Sequence, residues 1–375
     1  FREWNSIEMK RSVYLQPSAI FWDRSSRREV DEAEVPEWKG LPLAGGRLSF
    51  AALDVLTRAL PETKRRKVIL GDAFSGDWGR EALSAADILR ELSEPRGRVA
   101  GLSLERPRIM GIVNVTPDSF SDGGQFASTE AAIAHGLSLV EEGADILDIG
   151  GESTRPNSDT VALDEELRRV IPVVEGLRAR TDAVISVDTR KAEVMRRAAA
   201  AGADILNDVS AFTYDAEALE AAAESGLPIV IMHAQGDPKT MNDNPKYDDV
   251  VLDVFDYLEG RIQTCVAAGI PKAKIVADPG IGFGKHLHHN VAVMAGLSLY
   301  HGLGVPLLLG ASRKKMIGQL CNVDAAKDRV PGSLACALAG VAAGVQIVRA
   351  HDVKETKQAI EVWRACAAGT EKGLD

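Results

Sequence analysis

The chain has 375 residues, a mass of 40.2 kDa and a formal net charge of −10. Its 45% hydrophobic and 26% charged residues form an ordinary globular composition, which excludes global disorder. Residues 1–105 hold equal numbers of acidic and basic residues, so residues 106–375 carry the whole negative charge. An acidic body argues against a nucleic-acid partner, because tracking phosphates requires a basic face.

No apolar run approaches the roughly 18 residues that a membrane span needs, so no membrane partner is expected. The polar opening Phe1–Lys10 predicts no signal peptide, and Phe1 itself suggests a fragment or a processed chain. Four cysteines occur without a CxxC pair and without zinc-ligand spacing to histidine. This cysteine usage favours reduced thiols in a cytoplasmic protein.

The first 105 residues predict a small α+β domain, and no motif within it indicates a role. In chain order we expect a strand at Ser12–Ile20, a helix at Ser49–Leu60, a strand at Lys67–Leu70 and a helix at Arg80–Leu92. The polar segment Ser93–Arg98 contains Pro and Gly and predicts a linker. We therefore place the domain boundary near Glu105 and expect residues 106–375 to fold without residues 1–105.

From Ile109 onward, short apolar runs alternate with longer amphipathic stretches. Eight runs rich in Ile, Val and Leu predict strands buried on both faces: Ile109–Val113, Asp145–Ile149, Ala183–Val187, Asp204–Leu206, Pro228–Met232, Lys274–Ala277, Val305–Leu309 and Val345–Val348. Helical patterns separate them, as in Ser128–Glu142, Leu163–Arg180, Lys191–Ala201, Tyr247–Ala268 and Asp328–Ala343. Eight βα units predict a (β/α)₈ TIM barrel over residues 106–375. An open, doubly wound sheet is the alternative that periodicity alone does not exclude.

Polar or glycine-rich residues follow the apolar run at each of the eight predicted strand ends. The carboxyl ends of barrel strands meet at one rim, where the chemistry of this fold lies. A single Asn or Asp after a strand is usually a turn or a helix cap, but capping does not explain eight such ends. The ends are Asn114, Gly150–Gly151, Asp188, Asn207–Asp208, His233, Asp278, the segment GASRKK at 310–315, and Arg349–His351.

One set of rim residues suits the edge of a flat, nitrogen-rich heterocycle. It consists of Asp188, Asn207, Asp278 and Lys314. Carboxylates accept hydrogen bonds from the ring N–H groups, and the lysine donates to a ring carbonyl or nitrogen.

A second set supplies donors for a phosphate group: Thr154, Arg155, Arg349 and His351. The end of the eighth strand is where phosphate sites of such barrels often form. Asn114 and Asp118 offer hard oxygen ligands for a Mg²⁺ ion that bridges the phosphate. We find no nucleophile–base pair of the Ser–His type in the sequence.

Residues from about Arg106 to Cys366 resemble the dihydropteroate synthase family. The matching blocks, in order, are IMGIVNVTPDSFSDGG, GADILDIGGESTRP, ISVDTRK, GADILNDVSAF, MHAQGDPKTM, DPGIGFGK, GASRKKMIG and VRAHDVKET. The resemblance implies a Mg²⁺-dependent transferase of folate biosynthesis that acts on 6-hydroxymethyl-7,8-dihydropterin diphosphate and 4-aminobenzoate. It also implies a homodimer and a target of sulfonamides.

The resemblance assigns roles to individual positions. The implied pterin contacts are Asp188, Asn207, Asp278 and Lys314; the implied diphosphate contacts are Thr154, Arg349 and His351. Asn114 is the implied Mg²⁺ ligand, and Asp118 lies on the same loop. The aminobenzoate is implied to lie among Arg155, Pro156, Phe283 and Lys314. Three positions depart from the family pattern: Ala234, Lys315 and Asn157.

Two other functions suit a pterin-binding barrel. A pterin-binding methyltransferase domain would share the Asp and Asn pattern but would not need the NVTPDSF and STRP loops or the SRK cation. A non-catalytic pterin-binding protein would be expected to lose diphosphate or metal residues, yet Asn114, Arg349 and His351 are present.

Overall fold

The structure, a computed structural model, describes residues 11, 13–23, 40–58, 63–70, 82–115, 124–153, 160–236, 241 and 243–370. The strands there are β1 Val13–Trp22, β2 Leu41–Pro42, β3 Leu48–Thr57, β4 Lys64–Ile69, β5 Arg108–Asn114, β6 Ile146–Gly150, β7 Val184–Asp188, β8 Ile205–Asp208, β9 Ile229–Met232, β10 Ile275–Asp278, β11 Leu308–Leu309 and β12 Ile347–Ala350. The α-helices are α1 Ala82–Ser93, α2 Gly124–Glu142, α3 Leu163–Arg178, α4 Ala192–Ala200, α5 Ala218–Ser225, α6 Val250–Ala267, α7 Leu287–Ala295, α8 Lys315–Cys321, α9 Val330–Ala342 and α10 Val353–Ala368. Short 3₁₀ helices lie at Lys272–Lys274, Leu297–Leu303 and Ala326–Arg329.

Strands β5 to β12 form one parallel sheet in the order β10-β9-β8-β7-β6-β5-β12-β11. The sheet closes where Ala277 bridges Leu307 and its N–H donates to the Pro306 carbonyl at 2.9 Å. A helix follows each strand, so the architecture is a (β/α)₈ barrel. The predicted barrel is confirmed and the open sheet is excluded, because an open sheet would leave β10 and β11 apart.

The barrel interior holds one apolar side chain from each strand. They are Met110, Ile146, Val184, Ile205, Val230, Val276, Leu308 and Ile347, all buried. Val99 is fully buried and packs against this cluster at the amino-terminal end of the barrel. An antiparallel bridge between Val99 and Leu102 forms a turn there. The segment just before Glu105 therefore packs into the base of the barrel. The domain boundary near Glu105 stays a prediction.

A second, antiparallel sheet precedes the barrel, with β3 paired to β1 on one side and to β2 and β4 on the other. Leu15 and Leu53 pack in a cluster with α1, whereas Tyr14 and Leu56 pack against the barrel. The sheet is thus covered on both faces at β3 and the first half of β1, whereas β4 is largely exposed. The α+β character predicted for this region is confirmed.

The predicted helix at Ser49–Leu60 is wrong, because this segment is the central strand β3. A strand buried on both faces shows no alternation of polar and apolar residues, so its periodicity resembles that of a buried helix. Nine of its ten residues, 49–57, lie within the predicted helix. The strand at Ser12–Ile20, the strand at Lys67–Leu70 and the helix at Arg80–Leu92 correspond to β1, β4 and α1, with shifted ends.

Polar contacts hold the small sheet to α6 and the segment after α7. The Tyr14 hydroxyl donates to Asp256 at 2.7 Å, and Arg58 pairs with Asp253 at 2.9 Å and with Asp256 at 2.7 Å. The Ser298 hydroxyl donates to the Pro17 carbonyl at 2.8 Å. Backbone and side chain both take part, so the sheet has one fixed position on the barrel.

In the described part of the chain, none of the helices combines the length and the apolar character needed to cross a bilayer.

Candidate active site

A cavity of about 530 Å³ opens at the carboxyl-terminal rim of the barrel. Its lining includes six residues that the sequence analysis singled out: Asn114, Asp188, Phe283, Lys314, Arg349 and His351. Asn207 and Asp278 are buried beside it, with 5% and 6% of their surface exposed. The rim therefore brings these predicted residues together. Four further candidates, Asp118, Thr154, Arg155 and Pro156, and the variant position Asn157, lie outside the described residues.

Arg349, at the end of β12, is held between two carboxylates. Its Nε donates to Asp148 Oδ2 at 2.6 Å, and a terminal nitrogen donates to Asp188 Oδ2 at 3.2 Å. Burial raises the pKa of Asp188 to about 7, with the nearby Asp148 charge raising it and Arg349 lowering it. One guanidinium thus serves two buried carboxylates.

Asp148 is a site residue that the sequence analysis missed. It is fully buried in the middle of β6 and accepts hydrogen bonds from Ser186 Oγ at 2.7 Å and from Asn207 Nδ2 at 3.2 Å, besides Arg349. It therefore links Asn207, which is predicted to bind the pterin edge, to Arg349, which is predicted to bind a phosphate. A carboxylate inside the apolar run ILDIG is the signal that would have found it, because a buried charge needs partners.

Asp278 ends β10, and the turn after it is tightly constrained. The Gly280 N–H donates to Asp278 Oδ1 at 2.7 Å. Gly280 has a φ of +70°, and a Cβ there would lie 1.9 Å from the His233 carbonyl oxygen. Burial raises the pKa of Asp278 to about 6, although the Gly280 N–H and the charges of Lys314 and Arg349 lower it.

Lys285 is a second residue that the sequence analysis missed. Its buried side chain holds the loop after β10 through hydrogen bonds to the backbone of that loop. Its Nζ donates to the carbonyls of Gly280 at 2.9 Å and Phe283 at 3.2 Å and lies 2.8 Å from His233 Nδ1. Burial lowers the pKa of Lys285 to about 7, partly offset by Asp278. Burial and the adjacent Lys285 charge lower the pKa of His233 well below its usual range, so the imidazole is neutral near pH 7.

Phe283 and Lys314 meet at the mouth of the cavity. Lys314 Nζ lies 4.2 Å from the centroid of the Phe283 ring, a cation–π contact. The next residue, Lys315, is exposed, lines the same cavity and begins α8. An apolar ring and two cations thus share one wall, which suits an aromatic anion.

Ser312 and His351 form a pair that the sequence analysis did not find. Ser312 Oγ lies 3.0 Å from His351 Nδ1, and it also accepts from the His351 backbone N–H at 3.2 Å. The contact is a hydrogen-bonded Ser–His pair, and the expectation that no Ser–His pair acts as nucleophile and base stays a prediction. The residues lie 39 positions apart and meet because β11 and β12 are neighbours. The double contact orients the imidazole toward the cavity that both residues line.

Asn114, at the end of β5, lines the cavity together with Ser153, Arg349 and His351. Among the described residues, no three His, Cys, Asp or Glu side chains are grouped as metal ligands. The donor chemistry at Asn114 fits a Mg²⁺ ion that takes one neutral protein oxygen and completes its shell with phosphate oxygens and water.

Comparison with known proteins gives consistent matches. The model of a family described as "Pterin binding enzyme" matches residues 110–351. A dihydropteroate synthase of Escherichia coli strain K12 is 51% identical over 270 residues, which cover 72% of this chain and 95% of that protein.

Solved structures agree. Dihydropteroate synthase of Xanthomonas albilineans with 4-aminobenzoic acid shares 52% identity and a TM-score of 0.68, over 72% of this chain and 97% of that one. The same organism's enzyme in complex with 7,8-dihydropteroate shares 49% identity and a TM-score of 0.65, over 71% of this chain and 96% of that one.

Proposed function

The chain belongs to the dihydropteroate synthase family of pterin-binding enzymes, and we propose how its rim residues divide the work of that reaction. The reaction is a transfer: 6-hydroxymethyl-7,8-dihydropterin diphosphate and 4-aminobenzoate give 7,8-dihydropteroate and diphosphate. The observation that supports this division most is the single cavity shared by acceptors, cations and an aromatic ring.

The pterin edge is bound by Asp188, Asn207 and Asp278, with Lys314 on the other side of the ring. The two carboxylates have raised pKa values, so they are poorly solvated acceptors that gain from the N–H donors of a pterin. The Asn207 amide is oriented by Asp148, which fixes its oxygen as an acceptor as well.

The diphosphate is bound at the other side of the cavity by Arg349 and His351, together with Thr154. Asp148 and Asp188 hold the guanidinium, and Ser312 holds the imidazole, so both donors are fixed before the substrate arrives. Donors fixed in advance contribute more to catalysis than mobile ones, because they require no reorganisation as charge develops.

Asn114 would hold a Mg²⁺ ion against the diphosphate, with Asp118 on the same loop. Such an ion neutralises charge on the phosphate oxygens when it is bound. Calorimetry with Mg²⁺ alone should show weak binding, and affinity should rise once diphosphate is present, with the reverse coupling equal in size. Tight binding without diphosphate would contradict a single protein ligand.

The 4-aminobenzoate lies against Phe283 and Lys314, within reach of the loop that includes Arg155 and Pro156. The ring stacks on an apolar surface, and its carboxylate faces the cationic side of the wall. Lys315 adds a second cation there. Ala234 and Asn157 would change the fit of the ring pockets rather than the chemistry.

The chemical step needs stabilisation of the leaving group more than a strong base. The C–O bond between the pterin methylene and the diphosphate breaks, and a C–N bond to the arylamine forms. The electron pair of the broken bond leaves with the diphosphate, where Arg349 and His351 meet it. The arylamine is a neutral nucleophile and releases its extra proton after attack.

Release of diphosphate on addition of each substrate tests the proposal. We expect release from the pterin diphosphate when 4-aminobenzoate is present and little without it. Methyl transfer to a corrinoid, with no release of diphosphate, would support a pterin-binding methyltransferase. Pterin binding without turnover would support a non-catalytic protein. A homodimer remains a prediction from the family resemblance, and a cytoplasmic location remains a prediction from the cysteine usage.

A further inference from the structure

Arg313 has an unusual backbone conformation in the turn that follows β11. Its φ is +56°, in the left-handed region that residues with a side chain rarely adopt. The Lys314 N–H closes the turn by donating to the Ala311 carbonyl at 3.4 Å, so Arg313 is the third residue of the turn. Turns with a positive φ at this position normally have Gly or Asn there, because a Cβ is sterically unfavourable. An arginine at this position therefore needs contacts that hold it.

The N–H, the carbonyl and the guanidinium of Arg313 are each held by a different part of the chain. The N–H donates to Ser333 Oγ at 2.8 Å, and the carbonyl accepts from Arg329 Nη1 at 3.0 Å. The guanidinium forms a bidentate ion pair with Asp352, in which Nε donates to Oδ2 at 3.0 Å and Nη2 donates to Oδ1. A bidentate pair fixes the orientation of the two groups as well as their distance. These contacts tie the turn to α9, to the 3₁₀ helix before it and to the start of α10.

Asp352 immediately precedes α10, and its carboxylate is not used to cap that helix. An aspartate at this position ordinarily accepts hydrogen bonds from the first backbone N–H groups of its own helix. Helix α10 is described over its whole length, and none of its backbone N–H groups donates to the Asp352 side chain. The carboxylate instead meets Arg313, 39 positions away, with 11% of the side chain exposed. The ordinary role of an aspartate before a helix therefore does not account for this residue.

The two neighbours of Arg313 in the chain contact different parts of the rim site. Ser312 Oγ lies 3.0 Å from His351 Nδ1, on the side proposed for the diphosphate. Lys314 Nζ lies 4.2 Å from the centroid of the Phe283 ring, on the side proposed for the aminobenzoate. A rotation about φ of Arg313 would turn Ser312 relative to Lys314, so both contacts are kept together only in the observed conformation.

We propose that Asp352 is a positioning residue for the transfer reaction, which acts by holding Arg313 in its left-handed conformation. The turn then presents Ser312 to the imidazole and Lys314 to the wall that binds the aminobenzoate. Asp352 is not among the described residues that line the rim cavity, so its effect reaches the substrates through residues 312–314. This inference rests on the proposed division of the rim and adds a residue to it.

Asp352→Asn tests the inference, because it removes the charged pair and keeps the size of the side chain and a good helix-capping residue. We expect kcat/KM for diphosphate release to fall about 10- to 100-fold, as for a small misplacement of groups that position a substrate. The KM for 4-aminobenzoate should rise as well, because Lys314 moves away from its wall. The pterin carboxylates do not depend on this turn, so the affinity for a phosphate-free pterin analogue should change less than the KM for 4-aminobenzoate.

Glu355→Gln is the matched control, because it makes the same acid-to-amide change on an exposed side chain in the first turn of α10. The hydrogen bonds to Asp352, more than the charge of Glu355, raise the pKa of Arg313. Glu355→Gln should therefore keep kcat/KM within about twofold, as is usual for an exposed substitution.

Arg313→Gly and Arg313→Ala separate the backbone conformation from the loss of the guanidinium. Both remove the ion pair, but only glycine adopts a positive φ without a steric cost. Arg313→Gly should therefore keep about tenfold more kcat/KM than Arg313→Ala. Adding Asp352→Asn to Arg313→Gly should lower kcat/KM no further, since the carboxylate has lost the residue through which it acts.

Three kinetic results would overturn the inference: full kcat/KM in Asp352→Asn, an equal fall in Glu355→Gln, or an Arg313→Ala protein as active as Arg313→Gly. No diphosphate release from the unsubstituted protein would count against the proposed function instead. Amide hydrogen exchange tests the hold on the turn without any substrate. Residues 310–316 should exchange faster in Asp352→Asn than in the unsubstituted protein and in Glu355→Gln, and equal exchange in all three would show that Asp352 does not hold the turn.

Discussion

Two ionic clusters, one partly buried and one buried, differ in how well their charges are matched. In the interface cluster, made of Tyr14, Arg58, Asp253 and Asp256, each terminal nitrogen of the arginine meets its own carboxylate, at 2.9 and 2.7 Å. Burial raises the pKa of Asp256, but the Tyr14 hydroxyl and Arg58 both lower it.

The rim cluster, made of Asp148, Asp188, Asp278, Lys285 and Arg349, is matched less completely. Two carboxylates share one guanidinium, two aspartates have pKa values raised to about 7 and about 6, and a lysine has its pKa lowered to about 7. Unfavourable ionisation of this kind is typical of binding sites, where a ligand supplies the missing partners. The interface cluster stabilises the fold, and the rim cluster gives up stability for binding.

Among these substitutions, Arg349→Gln should lower activity the most, because it disrupts the rim cluster. We expect kcat/KM to fall by about 100- to 1000-fold, as for removal of one preorganised donor to developing negative charge. Steady-state diphosphate release measures it. A fall below threefold would remove Arg349 from the diphosphate site.

Asp278→Asn should weaken the binding of a phosphate-free pterin analogue by about 10- to 100-fold. The carboxylate accepts from the ring donors, a charged hydrogen bond worth roughly 1.5–3 kcal/mol, and the amide would turn a donor toward donors. Calorimetry measures the affinity. Unchanged affinity would place the pterin elsewhere in the cavity.

Arg58→Gln applies the same change of residue type as Arg349→Gln to the interface cluster. It should lower the free energy of unfolding by about 2 kcal/mol, because two partly buried carboxylates lose their partner. Turnover per folded molecule should stay the same. Urea denaturation and an activity assay on one preparation test both points, and a loss of turnover would show that the N-terminal sheet acts on the rim.

A rise in pH should increase the affinity for the pterin and lower the contribution of the rim carboxylates to the free energy of unfolding. Pterin affinity should rise several-fold as pH increases through about 6 to 7, because Asp278 and Asp188 become ionised acceptors. Raised folded-state pKa values mean that these groups favour the folded state most at low pH. That contribution to the free energy of unfolding is complete below the ordinary carboxyl pKa of 3.8 and is lost as pH rises from there through about 6 to 7.

Calorimetry and urea denaturation across this range test the two trends. Replacing Asp188 and Asp278 by Asn in one variant should flatten both. A stability curve that rises with pH because of these two residues would contradict the raised pKa values.

The barrel was predictable because parallel strands bury both faces and so appear as continuous Ile, Val and Leu runs. The ends of the strands were predicted less accurately. Of the strand predicted at Val305–Leu309, only Leu308–Leu309 is a regular strand in the structure. The apolar-run criterion does not distinguish a buried strand from a buried helix at β3, so the helix prediction there is wrong. An antiparallel partner such as β1 is not visible in the local pattern of β3.

The rim was predictable to the extent that strand ends converge. Asn114 and Arg349 come from opposite ends of the barrel sequence, yet they line one cavity because β5 and β12 are neighbours. Asp148 was missed because its partner Arg349 lies 201 positions away and the residue sits within an apolar run. Lys285 was missed because its contacts are mainly to backbone carbonyls, which no side-chain motif reveals.

The closure between β10 and β11 has a consequence for motion. One bridge, Ala277 to Leu307, joins two strands, whereas β5 and β6 align over five residue pairs. The loops that follow these two weakly paired strands include Phe283 on one side and Lys314 on the other. Amide protons along this seam should exchange with solvent faster than those between β5 and β6, because fewer backbone hydrogen bonds must open together. We therefore expect the barrel to open most easily along this seam, which lies beneath the pocket wall formed by Phe283 and Lys314.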